Sequence, residues 1–352
     1  MFLRYVISYL PKPSGITLQL DITSECNLSC KHCDRWLDSQ GGLSTSQLNA
    51  ILQNWLHLIK AWGLPRENSV LYLSGGEPLL SKEFDWLVGT FAEHKKDFRW
   101  FVLSNGTLVT REIAKKIKQA GASHFQVSLE GMETANDSVR GIGCFEKAVS
   151  AIKILLEEGL RTSVSLTLTK NNVGDVWTLV EFLKGLGVSQ LNARRLTPVG
   201  AGALLRDQVL GPTELRDFYM KVLEFNSLHC QNDFFIFTGC ESAIAGSLAG
   251  WPAKFLCAMN SGCLLHVRSN GDVLPCVKLP FILGNALNTS FFEMWHSSDI
   301  LCKMRDATNV SQTCRSCGNF QSCLGGAKCM SYHVAGDLFK ADPGCWIAKD
   351  YC

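Results

Sequence analysis

The 352-residue chain reads as an α/β protein: a parallel sheet covered by helices, followed by a cysteine-rich region. Three observations predict this. Strand-like and helix-like segments alternate through six units over the first 200 or so residues. Their strands are near-continuous apolar runs, as expected of strands covered on both faces. Beyond residue 200 the alternation stops and cysteines accumulate.

The first strand is expected over Ile16–Thr23. A helix follows with Leu48, Ile51, Leu52, Trp55, Ile59 and Trp62 on one face, closed by Gly63 and Pro65. The second strand is VLYLSGGE, with a helix around Phe84–Phe91 behind it. RWFVLSNG is the third strand, and Thr110 caps the helix Thr110–Ala120, which ends before Gly121. HFQVSLEG is the fourth, followed by a helix from about Phe145 to Glu158. TSVSLTLT is the fifth, and VWTLVEFLKGLG leads to the sixth, QLNARRLTPVG. GAGALLRDQVLGPT reads as a connector, and Pro212 and Thr213 open a helix running to about Leu228. The expected divisions are a lead-in over 1–15, the sheet region over 16–205, a connector and bridging helix over 206–250, and the cysteine-rich region over 251–352.

Composition excludes several classes. Hydrophobic residues make up 46% of the chain, ample for a core and incompatible with disorder. With 34 basic and 32 acidic residues in no long single-sign block, nothing marks a nucleic-acid partner. There is no membrane-spanning run, and the N-terminal MFLRYVISYLPKPSG lacks a small-residue cleavage site, so a cytoplasmic protein is expected. A reducing cytosol would keep the 16 cysteines as thiols, and their density is below that of a disulfide scaffold. Metal-cluster ligation accounts for them better.

In parallel α/β folds function sits at the carboxyl ends of strands. Cys26, Cys30 and Cys33 follow strand one in a C-x3-C-x2-C run, Gly75-Gly76-Glu77-Pro78 follows strand two, Ser104-Asn105-Gly106 follows strand three, and Ser128 lies in strand four. Three thiolates from one short loop suit an iron-sulfur cluster with one iron left open, whereas structural zinc wants four ligands.

The cysteine loop and the GGEP turn together resemble the signature of the radical S-adenosylmethionine (SAM) enzymes. The resemblance implies a partial (β/α)6, TIM-like barrel and a [4Fe-4S] cluster on Cys26, Cys30 and Cys33. Its open iron would chelate the SAM amino and carboxylate groups, and an electron from it would cleave SAM to a 5'-deoxyadenosyl radical. His32 fills the position of an aromatic near the adenine, unless it is a surface loop histidine. Gly75, Gly76, Glu77 and Pro78 would accept a hydrogen bond from the SAM amino group, Ser128 would meet the ribose, and Ser104 and Asn105 are further candidate contacts, although an SNG turn is often only a turn.

The last hundred residues are similar to the SPASM extension of this superfamily, which typically carries two auxiliary [4Fe-4S] clusters. Cys257 is followed by thirteen residues, Gly271, four residues and Cys276; then come Cys314, Cys317, Cys323 and Cys345. By resemblance Cys257, Cys263, Cys276 and a cysteine after the Gly-Gly turn hold the first auxiliary cluster, and Cys314, Cys317, Cys323 and Cys345 hold the second. The family has three residues between the cysteine matching Cys323 and the next, whereas CLGGAKC has five, with Ala327 where the ligand is expected. Either Cys329 substitutes or the first auxiliary site keeps an open position. Two zinc sites are the competing account of these thiols. Cys144, Cys230, Cys302 and Cys352 read as small hydrophobes or surface groups. Cys240 is a candidate hydrogen-atom donor, since some radical SAM epimerases use a thiol that way.

SPASM enzymes mainly modify peptides and proteins, and related members act on sugar-like or tetrapyrrole metabolites, so both substrate classes stay open. Sulfatase maturases carry an Asp base after the cysteine matching Cys276. Val277 stands there, which argues against that activity. About fifteen residues precede strand one, too few for a fused leader-binding domain, so a peptide would need a separate leader-binding partner or direct docking. The electron would come from a donor such as flavodoxin or ferredoxin.

Overall fold

A computed structural model describes residues 12–34, 41–229, 234–239 and 257–347. Among these, ten strands form one unclosed sheet in the order β10-β9-β8-β1-β2-β3-β4-β5-β6-β7. The six expected strands are β1 (Ile16–Asp21), β2 (Ser69–Ser74), β3 (Arg99–Ser104), β4 (His124–Ser128), β5 (Thr162–Leu168) and β6 (Gln190–Arg195), each parallel to the next. β7 (Phe235–Phe237) adds parallel to β6. At the opposite side β8 (Leu264–Val267), from the cysteine-rich region, pairs parallel with β1, and β9 (Asp272–Leu274) and β10 (Gly284–Asn285) follow antiparallel.

The expected helices are α1 (Thr45–Trp62), α2 (Phe84–Glu93), α3 (Arg111–Gln119), α5 (Cys144–Glu157), α6 (Val176–Leu186) and α7 (Pro212–Leu228). α1 starts where the Ser44 hydroxyl and the Gln47 side chain cap each other's backbone, and ends at Gly63. Glu214 reaches back 2.7 Å to accept from the Gly211 N–H at the start of α7. α4 (Glu133–Arg140) is an addition to the expected set, and the connector contains a 3₁₀ stretch over Gly200–Gln208. β6 stops at Arg195 rather than continuing to Gly200.

The strand faces divide the core from the cavity. Leu18, Leu20, Leu71, Leu73, Trp100, Val102, Phe125 and Val127 turn outward and are buried under the helices. The intervening Gln19, Tyr72, Phe101, Gln126, Ser163 and Asn192 turn inward, as the two-residue period of a strand dictates, and line a cavity of about 1050 Å³. No helix among the described residues is long and apolar enough to cross a membrane.

Candidate active site

The cysteine loop is fastened to four strand ends. Gly76 N–H donates to the Thr23 carbonyl at 2.9 Å and Glu77 N–H to the Glu25 carbonyl at 2.8 Å, lacing the GGEP turn to the chain just before Cys26. Gly75 has φ +146°, and a Cβ there would come within 2.5 Å of the Thr23 carbonyl oxygen, so a side chain would separate the two segments. Asn105 Nδ2 donates to Asn27 Oδ1 at 2.9 Å and lies 4.0 Å from Cys26 Sγ. From α4, the Val139 carbonyl accepts from Lys31 N–H at 3.1 Å, and Arg140 Nη1 lies 3.8 Å from Cys30 Sγ. Gly202 N–H reaches the Cys33 carbonyl.

Cys26, Cys30, Cys33, His32, Gly75, Gly76, Ser104, Asn105 and Ser128 all line the one cavity, so the structure brings most of the expected SAM-site residues together. Glu77 and Pro78 do not line it. The Glu77 side chain is 0% exposed, and its carboxylate accepts from Ser104 Oγ at 2.8 Å, Asn105 N–H at 2.8 Å and Leu79 N–H at 3.2 Å. Burial pushes its pKa up against those three hydrogen bonds. What Glu77 can offer a ligand in the cavity is backbone. Pro78 opens the buried 3₁₀ turn Pro78–Leu80.

His32 is no surface histidine: its side chain is 10% exposed, and Nε2 stands 3.1 Å from Glu130 Oε1. Glu130 and Arg140 are residues that sequence reasoning missed. Arg140 Nη2 contacts Glu130 Oε1 at 2.5 Å, and Thr167 N–H donates to Glu130 Oε2 at 2.7 Å. Burial would raise the Glu130 pKa, but His32, Arg140 and these hydrogen bonds outweigh it and hold the carboxyl at about 2. The available signal was position: Glu130 follows Ser128 by two residues at the end of β4.

In the cysteine-rich region, Cys314, Cys317, Cys323 and Cys345 line one small pocket with Phe320, Ile347 and Asp342. Burial, with Asp342, Cys345 and Cys314 nearby, pushes the Cys323 thiol up to about 12, so it ionises only against a bound metal charge. Cys257, Cys276 and Cys329 share the main core, and Cys263 leads into β8. Leu324, Gly325 and Gly326 all adopt left-handed backbone, carrying the chain from Cys323 to α8 (Lys328–Ala335). That kinked stretch absorbs the two extra residues and sets Cys329 3.8 Å from Thr197 Oγ1. Lys328 is 0% exposed and sits near Cys257, Cys314 and Cys323. Among the described residues no group of three or more His, Cys, Asp or Glu side chains is drawn together as a single-ion site. The four thiols lining the small pocket share one space, which suits a polynuclear cluster. Cys144 is buried and Cys302 exposed. Cys230, Cys240 and Cys352 lie outside the described residues.

The comparisons agree with this geometry. Residues 20–183 match the model of the radical SAM superfamily, and residues 257–318 match that of the SPASM iron-sulfur cluster-binding domain. The AdoMet-dependent heme synthase of Nitratidesulfovibrio vulgaris is 26% identical over 95% of this chain and 92% of its own length. Mycofactocin maturase MftC of Mycolicibacterium smegmatis is 30% identical over 94% of this chain and 82% of its own. The PqqA peptide cyclase of Granulibacter bethesdensis is 21% identical over 97% and 89%. Among solved structures, anSMEcpe with bound AdoMet and a peptide superimposes with a TM-score of 0.76 at 19% identity, covering 96% of this chain and 95% of that one. With its cysteine loop on the barrel rim and its second thiol set in a separate pocket, the chain belongs to the radical SAM superfamily and carries a SPASM domain.

Proposed function

We propose that this enzyme cleaves SAM at the Cys26–Cys30–Cys33 loop and abstracts a hydrogen atom from a ribosomally made peptide or protein, leading to a crosslink, an epimerisation or an oxidation. The carrying observation is that the three thiols, the Gly75–Gly76 turn and the barrel interior open on one cavity of about 1050 Å³. A [4Fe-4S] cluster with SAM supplies a 5'-deoxyadenosyl radical there. Asn105 and Arg140 stand beside two of the thiols. The Arg140 cation, facing the cavity, suits the SAM carboxylate, and the buried His32–Glu130–Arg140 group keeps it in place. Ser128 on the rim is placed for the ribose, and backbone at Gly75–Gly76 for the ammonium. The peptide reading draws on the PqqA peptide cyclase among the relatives. An external electron donor such as flavodoxin or ferredoxin, a reducing cytoplasm and, for a peptide, direct docking or a separate leader-binding protein complete the proposal, with Cys240 as the candidate hydrogen donor.

A second reading, a carboxylated tetrapyrrole as substrate, is favoured by the cavity's charge and by the heme synthase relative. Arg99, Arg161, Arg194 and Lys278 line it beside Arg140 and Arg195, which are ion-paired with Glu130 and Asp342, against Asp34 as the acidic residue among the lining positions.

Anaerobic reconstitution tests the assignment. Three cubanes predict about twelve irons per chain. Replacing Cys26, Cys30 and Cys33 together by Ala should remove about four of them and abolish 5'-deoxyadenosine formation. Iron near four in the parent protein, or deoxyadenosine from the triple variant, would contradict it. Supplying candidate peptides and tetrapyrroles and following deoxyadenosine then separates the two substrate readings.

A further inference from the structure

The inward positions of the barrel change character along the strands. At the carboxyl end they are small and hydroxylated, as at Ser128 and Thr167. At the amino end they are Arg99, the first residue of β3, His124, the first of β4, and Arg161, just before β5. All three line the same cavity as the cysteine loop. The strand registers set them side by side: Phe101 pairs with His124, and Phe125 with Thr162, so Arg161 stands next to His124. Arg99 Cζ lies 5.1 Å from the Phe101 ring centroid, and that ring lies 5.8 Å from the imidazole of His124.

Among the described residues this group has no ion-pair partner. Among the described residues neither guanidinium makes an ion pair or a side-chain hydrogen bond, and the ring nitrogens of His124, a residue 7% exposed, meet no hydrogen-bond partner. Asp34 belongs to the cysteine loop at the other end of the cavity. Burial, and then the charges of Arg161 and Arg99, hold His124 at about pKa 4, so its ring is neutral near pH 7 and presents one N–H. Two guanidinium groups and an imidazole facing one space repel each other until an anion enters, and the planar guanidinium fork matches a carboxylate.

The geometry points to a carboxylate-binding subsite at the amino end of the barrel, made by Arg99, His124 and Arg161, that anchors the far end of the substrate. It rests on the reading above, that the barrel interior receives the substrate. From Arg99 to Ser104 the strand rises about 17 Å at roughly 3.3 Å per residue. The anchored carboxylate therefore lies about that far from the rim where hydrogen is taken. The substrate class is an elongated molecule with a carboxylate remote from its reacting carbon: a peptide acid or a carboxylated macrocycle, rather than a neutral sugar.

Citrate is the first probe, titrated calorimetrically into the reconstituted holoenzyme saturated with SAM. Arg99→Gln and Arg161→Gln should each weaken citrate binding at least about tenfold, while Lys116→Gln, on the outer surface, leaves it unchanged. Arg161 is exposed, so its replacement does not threaten the core. No citrate binding by the parent, or affinity in the two Arg variants unchanged from the parent's, overturns the subsite. Two pairs then identify the source of the carboxylate: coproporphyrin III against its tetramethyl ester, and a peptide acid against its amide. Displacement of citrate by an acid but not by its blocked partner supports a substrate anchor. Citrate that neither acid displaces overturns the anchor and leaves a site for free anions. Deoxyadenosine formation by the parent enzyme with SAM, reductant and each candidate substrate is measured alongside; its absence throughout counts against the proposed SAM cleavage and hydrogen abstraction, whereas the citrate result bears on the subsite alone.

Discussion

Glu77 stands in the turn where a cation acceptor is expected, yet its carboxylate already accepts three hydrogen bonds from the protein. Those bonds tie the GGEP turn to the β3 turn, and Asn105 carries the tie on to Asn27 in the cysteine loop. Glu77→Ala should therefore act on SAM binding through position. It leaves the Ser104 hydroxyl proton and the Asn105 and Leu79 N–H groups without their acceptor in a buried place, at about 1–3 kcal/mol each, although Ser104 Oγ still accepts from Gly106 N–H. A lowered Tm together with weaker SAM affinity in equilibrium dialysis is the expected outcome, and weaker affinity at unchanged Tm would indicate direct contact instead. At the opposite end of the barrel, His124 makes stability depend on pH. Its folded pKa of about 4 lies below the ordinary 6.5, so between these values the unfolded chain binds more protons. Stability should fall as pH drops from about 6.5 toward 4, by about 3 kcal/mol in all, and be lost in full below that window. Urea unfolding across the range should show this slope, and His124→Gln should flatten it. The motif residues were legible because they cluster at strand ends, where the chain order alone puts them. The Glu77 side-chain direction was not, because its partners come from the β3 turn, and the Glu130–Arg140 pair was not, because its place in the site depends on contacts with His32 and Cys30 about a hundred positions earlier.

At the scale of elements, the six β/α units were legible from apolar runs and caps, but the inner faces were not. HFQVS, TSVSLTL and QLNARR carry hydrophilic residues at alternate positions, a pattern of strands that face a solvent-filled interior on one side. Counting them simply as apolar strands hid the cavity lining. β7 is three residues long and α4 has little apolar content, so neither stood out by periodicity. α8 makes the unusual CLGGAKC spacing intelligible, since it holds Cys329 at 6% exposure beside Thr197. Cys329→Ala is expected to change the paramagnetic resonance of one auxiliary cluster while that of the set lining the second pocket survives, with the Cys26 cluster removed to clear the background. Unaltered signals from both would mean an open position at the first auxiliary site. The neighbouring Lys328 puts a buried cation near thiols of both sets. A nearby positive charge favours the reduced, more negative cluster, so Lys328→Met should lower the auxiliary reduction potentials in a redox titration.

For the whole molecule, the two regions are joined by buried polar ties rather than by a linker alone. Arg195 on β6 grips Asp342 with bonds of 3.0 and 2.6 Å, and Asp342 also accepts from the Ala327 and Gly344 N–H groups. Gly326 and Gly344 leave the room this pair needs, since a Cβ at either would strike it. Asp342→Asn removes the charge opposite a buried guanidinium and should cost about 3–5 kcal/mol, seen as a shifted urea midpoint. On the far side Asn54 of α1 donates to the Ala286 and Thr289 carbonyls and accepts from Phe291 N–H. The accumulation of cysteines toward the C-terminus was legible from composition, while the pairing of a strand from that region into the main sheet was not, because β8 is only four residues long and pairs with a strand 247 positions earlier.

That shared sheet has a consequence for how the chain can be cut. β1 lies between β2 and β8, so its peptide groups are matched on both sides. A polypeptide stopped before Leu264 would present β1 as a bare template of unsatisfied N–H and C=O groups, the kind of edge on which other chains stack. Such a fragment, although it contains every residue of the proposed SAM site, should run as aggregates on size-exclusion chromatography where the parent elutes as a discrete species.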